Sequence, residues 1–324
     1  MFRQVPLRII IVIFALLSIA NANAQISPGR AVRLVTGETG GVNDFAARLI
    51  APGMAADLGT AFVVDNRGGA SGIIAAQNVV RAAPDGHTLL LYGNPTWLLQ
   101  FLRDDVPYDV EKDLLPVSLA LRSPNLLVVH PSVSAESVKA LIDIAKAKPG
   151  SLNYAATGAG TANHLAAELF KAMAGVDLVK VTYKGTGAAM IGLLRGETQL
   201  MFATIAAVTP QIKAGKLRAL AVTSAQPSPL LPGVPAFAAS GLPGYESGSS
   251  YGIFAPAGTS ATTVNAISKS AAATLKNREV TEKLTAAGVE PVGSSPKEFA
   301  DLIRAERTRL GKVIKDAGIR DDSN

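Results

Sequence analysis

Eight short apolar runs, separated by stretches of helical periodicity, constrain this chain more than any other feature. They lie at 31–36, 61–65, 88–92, 126–130, 152–156, 178–183, 198–203 and 217–223. Runs of that length alternating with helices are the pattern of β-α-β units, in which largely parallel sheets carry helices on both faces. The fold class is therefore α/β. Roughly 300 residues beyond the N-terminal segment suit two domains.

Several helix ends can be read directly. Ser295-Pro296-Lys297-Glu298 is a capping box with proline at the first helical position, and the helix it opens should run to about residue 317. Phe299, Leu302, Ile303, Leu310, Val313 and Ile314 repeat there at helical spacing, Arg304, Arg307, Arg309 and Lys312 are placed in water, and Gly318 supplies a left-handed stop. Pro52-Gly53 falls inside the helix expected over 43–58, and an interior proline removes a backbone donor, so this helix is expected to end early. The stretch 226–248 is dense in proline and glycine and reads as an ordered surface loop, because Leu230, Leu231, Val234, Phe237 and Leu242 should pack.

The first 24 residues read as an export signal. Arg3 and Arg8 precede an apolar run over 9–20, and Ala22-Asn23-Ala24 offers the small-x-small pattern of signal-peptidase sites, so the mature chain should begin at Gln25. The apolar run is shorter than the roughly 20 residues that a bilayer span requires. Without Arg3 and Arg8, 29 basic residues stand against 25 acidic ones and are spread along the chain. With only 5% aromatic residues, the clustered basic stripe and stacking rings of a nucleic-acid binder are absent, while a mild positive balance suits an anionic ligand. There are no cysteines, which excludes disulfides, thiolate metal sites and a cysteine nucleophile. His87, His130 and His164 are too far apart to build a helical metal site, and no cofactor is expected.

Two strand-loop-helix segments carry the functional signal. The first runs from Thr36 through Gly37, Glu38, Thr39, Gly40, Gly41 and Val42 to Asn43 and Asp44; glycines let backbone approach a ligand, and the amide donors of the following helix favour a carboxylate or phosphate. Asp44 should serve the helix terminus and Glu38 should face solvent or the polar end of a ligand. The second runs through Thr157, Gly158, Gly160, Thr161 and Asn163 to His164. It matches a dinucleotide fingerprint only in part, since Asn163 stands at the third glycine and no acidic ribose partner follows. Two such loops could face one another across a cleft. Residues 67–72 including Gly72, Asn94 beside Pro95, Lys184 with the residues to Gly187, and Thr204 also sit at or beyond strand ends, where open α/β sheets bind ligands. His164 could donate to a carboxylate, although capping or packing is the commoner role. Gly248-Ser249-Ser250-Tyr251-Gly252 fits the G-x-S-x-G pattern, but a proline-rich loop precedes it and no histidine follows it, which argues against a hydrolase elbow.

These residues resemble the tripartite tricarboxylate transporter substrate-binding proteins, also called Bug receptors. The likeness covers essentially the whole mature chain and is carried by VRLVTGETGGVNDFAARLIA, VVDNRGGASGIIAAQNVVRAAPDGHTLLL, LNYAATGAGTANHLAAELF, VTYKGTGAAMIGLLRGE, GKLRALAVTS, LPGVPAFAASGLPGY and GIFAPAGTS. The resemblance implies a two-domain Venus-flytrap fold of the periplasmic binding proteins. The chain would cross between domains near 126–130 and 250–255, giving one domain from 25–127 plus 252–324 and another from 128–251. It implies a non-enzymatic periplasmic receptor that grips a di- or tricarboxylate or an aromatic acid with the two loops and serves membrane permease subunits; a monomer is the default expectation. A membrane sensor as partner, or an enzyme on the same hinge fold, are the alternatives. The chain departs from the family at Thr36 to Thr39, where a proline and small apolar residues are common, and at Tyr251, where tryptophan is often seen.

Overall fold

The computed structural model describes residues 26, 29–37, 39–157, 160–183 and 185–320. All eight apolar runs form strands: β1 (Val32–Thr36), β2 (Phe62–Asn66), β3 (Thr88–Gly93), the end of a long β4 (Leu114–Val129), β5 (Asn153–Ala156), β6 (Val179–Thr182), β7 (Leu200–Thr204) and β8 (Arg218–Val222). Two further strands are β9 (Gly248–Pro256) and the short β10 (Glu290–Pro291). The order β2-β1-β3-β9-β4-β7-β5-β6 makes one curled sheet, with β8 and β10 also paired to β4. Strands β1, β2 and β3 run parallel to one another, as do β5, β6 and β7. The long strands β4 and β9 join these groups by antiparallel pairing.

The helices are α1 (Val42–Leu58), α2 (Ile73–Val80), α3 (Pro95–Leu102), α4 (Val110–Asp113), α5 (Val138–Ala147), α6 (Ala162–Ala174), α7 (Thr186–Leu194), α8 (Ile205–Lys213), α9 (Ala261–Leu275), α10 (Arg278–Ala286) and α11 (Pro296–Asp316). The expected early end of α1 does not occur. Pro52 lies on the exposed side, where water can serve the carbonyl left without an intrahelical donor, and Gly53 is pressed against α9 so closely that a Cβ would lie 2.5 Å from Thr274 Cγ2. Close helix packing holds α1 together through the proline.

Strand β4 changes partners at one residue step. Pro124 is the last residue opposite β9, facing Gly248, and Asn125 is the first opposite β7. A proline cannot donate to a ladder, so the change falls where a donor is missing. Gly248 has φ 147°, and a Cβ there would lie 3.1 Å from the Ser123 carbonyl oxygen, so a larger residue would separate the two strands. Buried Thr223 ties the junction together: its N–H and hydroxyl donate to the Asn125 carbonyl at 2.8 and 3.0 Å, and its own carbonyl accepts Ser247 N–H at 2.9 Å.

Packing follows the periodicity of the sequence. On α11, Phe299, Ile303, Leu310, Val313 and Ile314 are buried, and the capping box at Ser295 and Glu298 is formed. Two arginines placed in water are instead drawn in: Arg307 donates to the Trp97 carbonyl at 3.1 Å and lies over the Phe101 ring, and Arg309 is only 25% exposed. Their long stems cover apolar surface while Arg307 pairs with Glu111 and Arg309 lies 3.9 Å from Glu246 with its Nε buried and unpartnered. In 226–248, Phe237 and Leu242 are buried in one core, and Leu230, Leu231 and Val234 pack against another that includes Val222 and Ala236.

Candidate functional site

The site is built from helix starts. Six helices, α1, α2, α3, α6, α7 and α8, follow the carboxyl ends of the parallel strands β1, β2, β3, β5, β6 and β7, and none has a side-chain hydrogen bond at its cap, where Gly41, Gly72, Asn94, Thr161, Gly185 and Thr204 stand. The other five described helices are capped by Asp109, Ser137, Ser260, Asn277 and Ser295. A capping side chain satisfies a first-turn amide, so a helix that lacks one keeps its donors and the positive end of its dipole for another acceptor. Every cap position at a parallel strand end is left in that state.

Three of these starts meet at one cavity of about 710 Å³, lined by Asn43 of α1, Asn94 and Pro95 at the start of α3, and Thr157, Gly160, Thr161 and Ala162 before and at the start of α6. Ser71, Ser247, Gly248, Ser249 and the rings of Tyr92 and Tyr251 complete the polar rim; Leu98, Leu99, Leu102, Leu165 and Leu310 form the remaining wall. Among the described residues, Arg320 is the one charged side chain in the lining, and it pairs with Asp104. The positive potential that these described residues supply to the cavity therefore comes chiefly from backbone.

The first loop is held from behind. Asp44 is buried; its carboxylate accepts Gly40 N–H at 2.9 Å and the Asn66 amide at 2.9 Å, and it pairs with Arg48 at 2.9 Å. Burial raises its pKa, but the Gly40 amide, Asn66 and Arg48 more than offset this and leave it below the ordinary carboxylate range. Asn66 also donates to the Gly37 carbonyl at 2.9 Å, so β2 stitches the loop that follows β1. Asp44 serves the loop and helix, as its placement in the sequence indicates. Thr39, Gly40, Gly41 and Val42 are exposed and lie outside the cavity lining, while Asn43 lines it with Oδ1 buried and unpartnered.

The second loop has a similar brace. His164 is buried, and its Nδ1 accepts Gly160 N–H at 3.2 Å, which places the remaining proton on Nε2, 3.9 Å from Glu168. Burial, with Lys180 and Lys171 adding and Glu168 opposing, pushes its pKa down to about 4, so the ring is neutral at pH 7. Thr157 and Thr161 hydroxyls donate to Asn163 Oδ1 at 3.2 and 2.5 Å. His164 and Asn163 thus shape the loop from outside the lining. Gly160, at φ 71°, comes so close to α3 that a Cβ would lie 2.7 Å from Leu102 Cδ1.

Gly72 lies behind the wall: with φ 96°, its missing side chain leaves room for the Tyr92 ring, 2.3 Å from where a Cβ would be. Beside it, Ala70 and Ser71 hold φ of 47° and 52°, a left-handed pair rare for residues with side chains and set against the cavity. Thr204 is exposed and outside the lining. Gly158, Lys184, Glu38 and the signal segment lie outside the described residues.

The largest omission from the sequence reading is Glu306. Its buried carboxylate accepts Asn94 Nδ2 at 2.8 Å, Trp97 Nε1 at 2.9 Å and Ser250 Oγ at 3.1 Å, while Asn94 Oδ1 accepts Ser250 N–H at 2.6 Å. Both ends of the Asn94 amide are thereby committed to β9 and α11. Only the helical phase of position 306, which falls between Ile303 and Leu310 on the apolar stripe, could have signalled a buried acid. The G-x-S-x-G stretch lies in β9, with antiparallel partners on both sides and no helix directly after it, so it makes no nucleophile elbow. Among the described residues, no His, Asp or Glu cluster could hold a metal and no helix is long and apolar enough to cross a membrane.

Comparison with known proteins gives the same direction. BugT of Bordetella pertussis is 33% identical over 93% of this chain and 93% of its own. The structure titled R. palustris Rpa4515 with adipate is 38% identical with a TM-score of 0.70, covering 90% of this chain and 99% of that one. MatC from Rhodopseudomonas palustris with bound malate is 30% identical with a TM-score of 0.67, covering 89% and 100%. The model of the tripartite tricarboxylate transporter family receptor matches residues 46–319. With that match over most of its length, the α/β periplasmic-binding-protein fold it implies and a cavity set at uncapped helix starts, the chain belongs to the tripartite tricarboxylate transporter receptor family.

Proposed function

We propose that this chain is a periplasmic receptor that captures a small carboxylate in the cavity between its two strand groups and delivers it to the membrane subunits of a tripartite tricarboxylate-type transporter. The observation that carries the reading is the convergence of uncapped helix starts α1, α3 and α6 on one cavity in which, among the described residues, a single charged side chain stands, itself paired. Such a site suits an anion held by oriented amides. The adipate and malate bound by two relatives support a carboxylate. In this reading, the ligand is bound without covalent chemistry or cofactor, and Asn43, Thr157, Gly160 and Thr161 with their loop amides make the contacts. Gly158 of the second loop and Lys184, between β6 and α7 in sequence, remain part of the proposed site.

The two lobes would be residues 25 to about 124 with about 248 to 324, and the residues between. That division lies a few residues before the 127/128 and 251/252 boundaries read from the sequence, because β4 changes partner after Pro124 and faces Gly248 there. Closure of the lobes over the ligand would be what the permease reads. A leader cleaved after Ala24 and a monomeric mature chain complete the proposal.

The test is a thermal-shift screen of residues 25–324 against dicarboxylates, tricarboxylates, aromatic acids and neutral solutes, followed by recovery of the ligand. A native-state ligand raises the midpoint by mass action. A stabilising acid recovered unchanged supports the receptor; stabilisation only by neutral solutes, or turnover of the acid, defeats it. Loss of uptake of that acid in a permease-deleted strain then tests delivery.

A further inference from the structure

The cavity is chemically uneven. One wall is hydrocarbon: Leu98, Leu99 and Leu102 of α3, Leu165 of α6 and Leu310 of α11 all face it. These side chains come from three helices that meet only in the folded molecule, and each is at most 5% exposed. Some of the polar side chains that share the lining are engaged with the protein, while Asn43 Oδ1, at the start of α1, is buried and unpartnered. The Asn94 amide is held at both ends by Ser250 and Glu306, and the hydroxyls of Thr157 and Thr161 are both directed at Asn163. A hydroxyl has one proton to give, so those two threonines offer a ligand little beyond lone pairs.

Donors for an anionic head are thus concentrated at the helix starts, while the leucine wall carries no polar group to pair with a substituent on the part of the ligand body laid against it. Resting on the carboxylate-receptor reading, we propose that this cavity selects a carboxylate with an unbroken hydrocarbon body, a methylene chain or an unsubstituted ring, and discriminates against hydroxy acids and citrate-like tricarboxylates. Each methylene laid on the leucine wall leaves water for an apolar surface and improves binding by roughly fourfold. A hydroxyl at the same place loses its water without gaining a partner, and binding weakens by about tenfold or more.

The experiment is isothermal titration of the mature protein, residues 25–324, with succinate, glutarate, adipate, hexanoate and benzoate, and with L-malate, tartrate and citrate. It needs no substitution, so misfolding cannot imitate the result. The expected outcome is that the tightest acid has an unbroken hydrocarbon body, that affinity climbs along the dicarboxylates from succinate to adipate, and that malate binds at least tenfold more weakly than succinate. Malate, tartrate or citrate binding as tightly as the best hydrocarbon acid overturns the proposal while leaving the receptor reading intact. Binding of no acid overturns both.

Discussion

Replacing Glu306 separates two roles that a buried acid can play. Its carboxylate receives the Asn94 and Trp97 donors on Oε2 and the Ser250 hydroxyl on Oε1. Glutamine preserves this pattern, because its oxygen can take the place of Oε2 while its amide donates to Ser250 Oγ, a hydroxyl that accepts as readily as it donates. Leucine strands the Asn94 and Trp97 donors, at about 1–3 kcal/mol each, partly offset by removal of a buried ionisable group. A net loss of about 3 kcal/mol is expected for Glu306→Leu, which lowers Tm by roughly 6–12 °C for domains of 150–250 residues. Glu306→Gln should stay within about 1 kcal/mol of the wild type at neutral pH. Burial raises the Glu306 pKa against the opposing pull of Trp97, Ser250, Arg309 and Asn94, so the folded chain keeps this proton at pH values where the unfolded chain, with an ordinary value of 4.5, has lost it. The stability contributed is full below that ordinary value and is lost as pH rises through the folded one. Urea unfolding between about pH 4 and pH 8 should therefore show Glu306→Gln gaining on the wild type as pH rises. If the variant instead falls behind with rising pH, the carboxylate is ionised and stabilising, and the account of this network is wrong.

Three further outcomes follow from the site geometry. Gly160→Val places a branched side chain where even a Cβ lies 2.7 Å from Leu102, at φ 71°, and should weaken carboxylate binding about tenfold or more by calorimetry with unfolding still cooperative; unchanged affinity would show that this cavity is not the binding site. Gly72→Ala collides with Tyr92 at 2.3 Å and holds φ 96°, so it should lower stability by about 2–4 kcal/mol in urea, and a neutral result would mean that the Tyr92 ring moves freely. His164, held down to about 4 mainly by burial, stabilises the fold while neutral and loses that contribution as pH falls from its ordinary 6.5 toward the folded value, up to about 3 kcal/mol; His164→Asn keeps an acceptor for Gly160 and removes the titration, and an equally steep acid loss in that variant would place the sensitive group elsewhere.

The fold was legible because short apolar strands and periodic helices announce themselves residue by residue. All eight strand runs carry that signal, as does the capping box at Ser295, formed by neighbours in sequence. The first half of β4 was missed because Leu114–Leu121 is interrupted by Pro116 and Ser118, and its strand character comes from β9, more than 120 residues downstream. The glycine turns at Gly40 and Gly160 were legible as turns because both hold positive φ, which glycine adopts readily. The groups that hold the site were legible less evenly: Asp44 and His164 lie in the first turn of the helix after their loop, whereas Asn66 and Glu306 reach their partners across the fold. The leucine wall was invisible for the same reason, since Leu98, Leu165 and Leu310 read locally as ordinary helix core.

The last long helix brings Glu306 and Leu310 to a cavity whose first loop begins at Gly37. Until that helix emerges and docks, the leucine wall is open on one side and the Asn94 amide has only its β9 partner. A nascent chain, a stalled product or a fragment lacking the last twenty residues thus has the loops that would greet an anion but no finished chamber, so capture of solute becomes a late event in the life of each molecule.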